Sequence, residues 1–233
     1  MEDLTHYITN KFFEIRWSEK LLLLDNIISG LKNIHDANII HKDYHRNVFI
    51  TSSKIFAEGK AITGDLGISK SAIESIEDNN EVYGIIPYVA PEILQGQKYT
   101  KASDIYSFSM VMWELMTGRK PFWDQNHDTG LIIKICDGFR PPIVTNAPVG
   151  YVELMQECWH PDPDKRPTAI NLMEKIKVIK YYDWVEVVAS PDIGPIENNP
   201  GAVYKSRLLS TMIESTNPTG NLKSQIVTSE IGE

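Results

Sequence analysis

The segment around residues 105–116 is apolar nearly all round: Ile105, Phe108, Met110, Val111, Trp113, Leu115 and Met116 leave no polar stripe wide enough for a solvated helix face. A helix over about residues 103–117 must therefore be enclosed by other elements, with Gly118 as its stop. A second helix is predicted over 18–36, where Leu21, Leu24, Ile27, Ile28, Leu31 and Ile34 recur at three- and four-residue spacing and Ser18 can cap the start. Shorter helical patterns cover 129–136, 150–158 and 168–179, the last opening behind Pro167 with Thr168 as cap. One buried helix surrounded by amphipathic ones makes the chain mainly α.

Between the first two long helices the pattern changes to short β-like pieces at 39–40, 48–51, 55–57 and 61–63, with Gly59 available for a turn. Past about residue 180 the periodicity weakens, and Pro191, Pro195, Pro200 and Pro218 stand among Asn, Ser and Gly. Residues 1–180 read as one domain, and residues 181–233 as a poorly structured tail with a short helix at 203–213.

The chain has 233 residues and a formal net charge of -8, with no basic block to attract nucleic acid or an anionic membrane. No apolar run is long enough to span a bilayer, because Glu114 interrupts the longest one. The start, Met1-Glu2-Asp3, lacks the basic and then apolar pattern of a signal peptide. Cys136 and Cys158 are too few for a disulfide framework or a zinc cluster. A reducing, intracellular (cytoplasmic) setting is expected.

The chemistry concentrates in three runs that follow one another: His41-Lys42-Asp43-Tyr44-His45-Arg46-Asn47, Gly64-Asp65-Leu66-Gly67 and Ala90-Pro91-Glu92. Taken singly, an aspartate in a loop or before a glycine is an ordinary solvated turn residue. In this order and spacing they resemble the signatures of the protein kinase superfamily, and the chain is similar to the helical C-lobe of a kinase fold, with small β-hairpins around its catalytic and metal-binding loops. The resemblance implies a protein kinase that moves the γ-phosphoryl group of ATP to a protein Ser/Thr hydroxyl, or a Tyr hydroxyl, in signalling. Asp43 is then the base, with Lys42 and His45 beside it. Asn47 and Asp65 hold Mg on the ATP phosphates, being oxygen donors suited to a hard ion.

Further residues extend the resemblance. Ala90-Pro91-Glu92 looks like the close of an activation segment, and Glu92 should pair with Arg166 through the planar two-point grip of a guanidinium. Asp104 resembles the family aspartate that accepts hydrogen bonds from the backbone around His41, and it also suits a helix N-terminus. The stretch Met155-Gln156-Glu157-Cys158-Trp159 with Pro161, Pro163 and Pro167 is similar to tyrosine kinases and tyrosine-kinase-like Ser/Thr kinases, the latter being nearest. Trp113 and Trp159 read as core aromatics. Ser69, Ser71, Ser75 and Tyr83 lie in the activation segment as candidate phosphorylation sites.

The departures from the family are equally specific. No Gly-x-Gly-x-x-Gly occurs in these residues, and Glu2 to Tyr7 already looks like the first helix after the hinge, so the N-lobe is expected to be missing. Asp43 and Asn47 are four positions apart where the family has five, so the loop must tighten before Val48 if Asn47 is to reach its place. Lys42 replaces an arginine and gives up its fork, His45 puts a titratable group where a lysine is common, and Leu66 replaces a phenylalanine of similar volume. Ile85 stands where many Ser/Thr kinases have threonine, so hydroxyl preference is not readable. The expectation is a chain inactive by itself. The alternative is a pseudokinase-like C-lobe that binds a protein substrate or regulatory protein as a docking module.

Overall fold

The computed structural model describes residues 2–44, 48–51, 60–63, 70–71, 81–144, 147–181, 186–187 and 189–216. The elements run β1 (Glu2–Asp3), α1 (Leu4–Lys11), α2 (Trp17–Asp36), β2 (Ile39–Ile40), β3 (Val48–Thr51), β4 (Lys60–Thr63), β5 (Lys70–Ser71) and β6 (Tyr83–Gly84). They continue through α3 (Pro91–Leu94), α4 (Lys101–Thr117), α5 (Thr129–Cys136), α6 (Tyr151–Cys158), α7 (Ala169–Tyr181), β7 (Arg207–Leu208) and α8 (Ser210–Thr216). The fold is mainly helical, with small antiparallel strands at its margins.

Helix α4 is the centre of the core. Ile105, Phe108, Met110, Val111, Trp113, Leu115 and Met116 are all buried, together with the polar Asp104, Ser107, Ser109 and Glu114. The polar groups are tolerated because each finds a partner: Ser107 donates to the Tyr88 carbonyl at 2.7 Å, Ser109 to the Tyr106 carbonyl at 2.6 Å, and Tyr88 donates to Glu114. The helix starts at Lys101, not at residue 103. Thr100 is its cap and Ser103 the return arm of a capping box, Ser103 N–H donating to the Thr100 hydroxyl at 3.3 Å and Thr100 N–H to Ser103 Oγ at 3.1 Å. Gly118 ends it at φ 71°, in the left-handed region.

Helix α2 also begins earlier than its sequence suggests. Arg16, not Ser18, is the cap, because the Glu19 carboxylate accepts the Arg16 N–H at 3.2 Å and the buried Trp17 draws the first turn inward. Its buried face includes Lys20 and His35, whereas Ile34 is only half-buried. Helices α2 and α7 lie against each other, and α6 lies against α4. Trp17 meets Tyr151 edge to face at 4.9 Å, and the Tyr151 hydroxyl donates to the Met112 carbonyl at 2.8 Å. Trp113 is buried, donates to the Pro142 carbonyl at 2.8 Å and stacks on Trp123. Helix α6 begins one residue after Gly150 and α7 at Ala169, with the Thr168 hydroxyl accepting the Asn171 N–H at 3.4 Å.

Three small antiparallel sheets border this core, ordered β1-β3-β4, β2-β5 and β6-β7. The strand expected at 55–57 and its turn glycine, Gly59, lie outside the described residues. Residues 189–216 form a strap that returns across α4 and α5. Asn199 N–H donates to the Trp123 carbonyl, His127 N–H to the Gly201 carbonyl and the Tyr204 hydroxyl to the Pro121 carbonyl, at 2.7, 2.8 and 2.9 Å. The strap's helix is Ser210–Thr216 and not 203–213, because Arg207 and Leu208 are extended in β7.

Candidate functional site

The loop after β2 is suspended from the first turn of α4. Asp104 Oδ2 accepts the His41 N–H and Asp104 Oδ1 the Lys42 N–H, each at 2.9 Å, while His35 Nε2 from α2 lies 3.0 Å from Oδ2. Asp104 is 1 % exposed, so this carboxylate has exchanged water for three nitrogen partners and the positive end of the α4 dipole. Lys42 adopts φ 71°, a left-handed conformation that disfavours a residue with a Cβ. The hydrogen bond from its N–H to Asp104 holds it there.

Tyr44 fixes the other end of the described loop. Its side chain is buried, its hydroxyl donates to the Ile27 carbonyl of α2 at 2.7 Å, and its ring meets His41 edge to face at 5.1 Å. Asp43 thus sits between two anchored neighbours, with its own N–H 3.4 Å from His41 Nδ1. Tyr99 closes this side: Lys42 Nζ lies 5.1 Å from its ring centre. Burial, with the charges of Asp43 and Asp104, pushes the Tyr99 phenol well above its ordinary value and keeps it protonated.

The second part of the site lies below. Arg166 holds Glu92 through two parallel hydrogen bonds, Nη1 to Oε1 and Nη2 to Oε2, both 2.7 Å. The same guanidinium donates to the carbonyls of His160 at 2.8 Å and Ala102 at 3.0 Å, so one buried side chain ties α3, α4 and the loop after α6 together. Residues 85–90, between β6 and α3, are all buried, which fixes the end of this segment against the core.

Of the residues singled out by sequence, the structure brings His41, Lys42, Asp43 and Asp104 together, and Glu92 with Arg166. His45, Asn47, Asp65, Ser69 and Ser75 lie outside the described residues. Ser71 is in β5 opposite Ile39, and Tyr83 is in β6, 42 % exposed. His35, Tyr44 and Tyr99 escaped the sequence reading. His35 was findable: it lies four residues after Leu31 on the buried stripe of α2. Among the described residues, no group of three or more His, Cys, Asp or Glu side chains is placed to hold a metal.

The family model for "protein tyrosine and serine/threonine kinase" matches residues 1–176. The chain belongs to the protein kinase family. Among its relatives are the putative serine/threonine-protein kinase/receptor R818 of Acanthamoeba polyphaga mimivirus, 33% identical over 65% of this chain and 9% of that protein. The probable serine/threonine-protein kinase roco5 of Dictyostelium discoideum is 30% identical over 74% of this chain and 6% of its own length. Ephrin type-A receptor 7 of Gallus gallus is 34% identical over 62% of this chain and 14% of its length. This kinase chain thus spans a small part of the relatives it matches. Among the described residues, no helix is long and apolar enough to cross a membrane.

Proposed function

We propose that this chain is the C-lobe portion of a kinase domain, in which Asp43 accepts the proton of a protein Ser/Thr hydroxyl as the γ-phosphoryl group of ATP is transferred. The observation that carries the reading is the Asp104 carboxylate gripping the His41 and Lys42 N–H groups, which pre-sets the backbone on which Asp43 stands. Phosphoryl transfer asks for positioned groups more than for covalent chemistry, so a rigid loop is the useful contribution of this half. Asn47 and Asp65 would hold Mg and the ATP phosphates, their amide and carboxylate oxygens fitting a hard cation. Lys42 and His45 would add positive charge nearby, His45 only when protonated.

No Gly-x-Gly-x-x-Gly cover for the phosphates is present in these residues, so the chain by itself is expected to transfer no phosphate and to bind Mg-ATP weakly or not at all. The test joins it to the nucleotide-binding lobe of a related kinase and follows radiolabelled phosphate onto a generic protein acceptor. Transfer that Asp43→Asn reduces by about 10³-fold or more is the expected result. Equal transfer with Asp43→Asn would remove Asp43 from the role. The shortened interval between Asp43 and Asn47 favours one alternative, a pseudokinase-like module that binds a regulatory protein. Absence of transfer by the joined protein, with Mg-ATP binding also absent, is the outcome that selects it.

A further inference from the structure

The first turn of α2 carries two buried donors that no acceptor meets. Trp17 and Lys20 are each 1 % exposed, and among the described residues neither Trp17 Nε1 nor Lys20 Nζ has a hydrogen-bond partner. A buried indole N–H ordinarily finds one, and a buried charge almost always does. Lys20 Nζ lies 3.7 Å from the centre of the Phe12 ring and 5.1 Å from that of Trp17, which in turn meets Tyr151 edge to face at 4.9 Å. The Tyr151 hydroxyl is committed to the Met112 carbonyl at 2.8 Å. The amine therefore ends among aromatic rings.

These surroundings favour the neutral amine. Burial alone lowers the Lys20 pKa to about 7 from 10.5, with no charged neighbour contributing. A desolvated lysine is the form in which this side chain acts as a nucleophile, because its lone pair is free near neutral pH. A reagent that reaches so enclosed an amine must be small, uncharged and nearly apolar. Carbon dioxide meets all three conditions, and small apolar molecules do enter closed protein cores.

We propose that Lys20 is a carbamate-forming site: its amine takes up CO2, and the carbamate accepts the Trp17 indole N–H. The Nζ lone pair forms an N–C bond to CO2, one C–O π bond opens to leave its electron pair on oxygen, and one Nζ proton passes to water. No oxidant or reductant takes part. A cation without an acceptor thus becomes an anion with a donor, and the remaining Nζ–H keeps its contact with the Phe12 ring. The charge in the first turn of α2 also reverses, and there the helix dipole favours an anion and opposes a cation. The inference concerns the core end of α2 and holds whatever role Asp43 has.

The experiment uses the full chain near neutral pH, equilibrated with carbon-13-labelled CO2 and bicarbonate. Carbon NMR is expected to show a carbamate resonance that is lost both in Lys20→Met and in Lys20→Arg, the latter keeping a cation without a nucleophilic lone pair. Alkylation that makes the carbamate permanent, followed by mass spectrometry, should place the label on the peptide containing Lys20. Trp17→Phe, which keeps a ring but removes the N–H, should lower the occupancy of Lys20 by about 10-fold or more. Unfolding in urea should abolish the signal, since the released amine is protonated. Identical spectra for the natural chain and Lys20→Arg, or a Lys20 peptide without label, overturn the proposal. So does a Lys20 signal that persists in urea or is undiminished in Trp17→Phe. Should Trp17→Phe fail to fold, the label on the Lys20 peptide of the natural chain decides by itself.

Discussion

Asp104 accepts the N–H of Lys42 at 2.9 Å, and Lys42 is held at φ 71°. The carboxylate that steadies the loop thus also stabilises its least favourable residue. Replacing it with an amide of the same shape separates charge and acceptor capacity from packing. Asp104→Asn turns an NH2 group toward N–H donors or toward His35, leaving at least one buried donor unmatched, at a cost of about 1–3 kcal/mol. Hydrogen exchange at the His41 and Lys42 amides should accelerate more than exchange along α4. Unchanged protection at those two amides would show that the loop is held by something other than Asp104.

Glu92 and Arg166 make a different kind of demand. The guanidinium satisfies a carboxylate and two backbone carbonyls at once, and an ammonium has neither the planar fork nor enough reach to do the same. Arg166→Lys keeps the charge but loses the fork and at least one of the backbone carbonyls, and should cost about 1–3 kcal/mol. Glu92→Gln leaves the buried guanidinium without its counter-charge and should cost more, about 3–5 kcal/mol. Urea midpoints of the two variants provide the comparison, and the reverse order would contradict it.

The sequence made the enclosed helix α4, the short strands and the span of α5 legible, because burial follows apolar periodicity. Lys20 and His35 were passed over because a polar residue on a helix normally marks the outward face, although their spacing pointed inward. Both stand on the buried stripe of α2, four residues from Leu24 and Leu31 respectively. The meeting of Glu92 with Arg166, far apart in the chain, was legible through family resemblance and not through spacing. The strap was hidden because it is fastened mainly by backbone N–H and carbonyl groups, which Pro-, Asn- and Gly-rich sequence supplies without any apolar period.

Gly118 carries two constraints that a methyl group would violate together. Its φ of 71° disfavours an L side chain, and a Cβ at this position would lie 2.6 Å from the buried Phe12 ring. Gly118→Ala should destabilise the chain by about 2–4 kcal/mol, the sum of a left-handed backbone penalty and overpacking. Shortening the partner in Gly118→Ala/Phe12→Leu should recover the packing share and leave the backbone share. A double variant no more stable than the single one would place the whole cost in the backbone.

Lys20 is the buried cation of α2. Its Nζ lies 3.7 Å from the Phe12 ring centre and 5.1 Å from that of Trp17, and has no hydrogen-bond partner among the described residues. Burial lowers its pKa to about 7 from 10.5, although the two ring faces favour the ammonium form. The unfolded chain keeps this proton up to about pH 10.5, so between pH 7 and 10.5 the unfolded state binds more protons and the Lys20 contribution to stability rises with pH. Below pH 7 both states are protonated and the penalty is complete. Lys20→Met, similar in length and without charge, should therefore be more stable than the natural chain by about 1–4 kcal/mol at pH 6, as when a buried charge gives way to an apolar residue. That advantage should shrink steadily toward pH 9. Cys158 and the buried tyrosines titrate alike in both proteins, so the difference between their urea midpoints isolates Lys20. A difference that stays constant from pH 6 to 9 would mean that Lys20 keeps its proton throughout, with the aromatic faces outweighing burial.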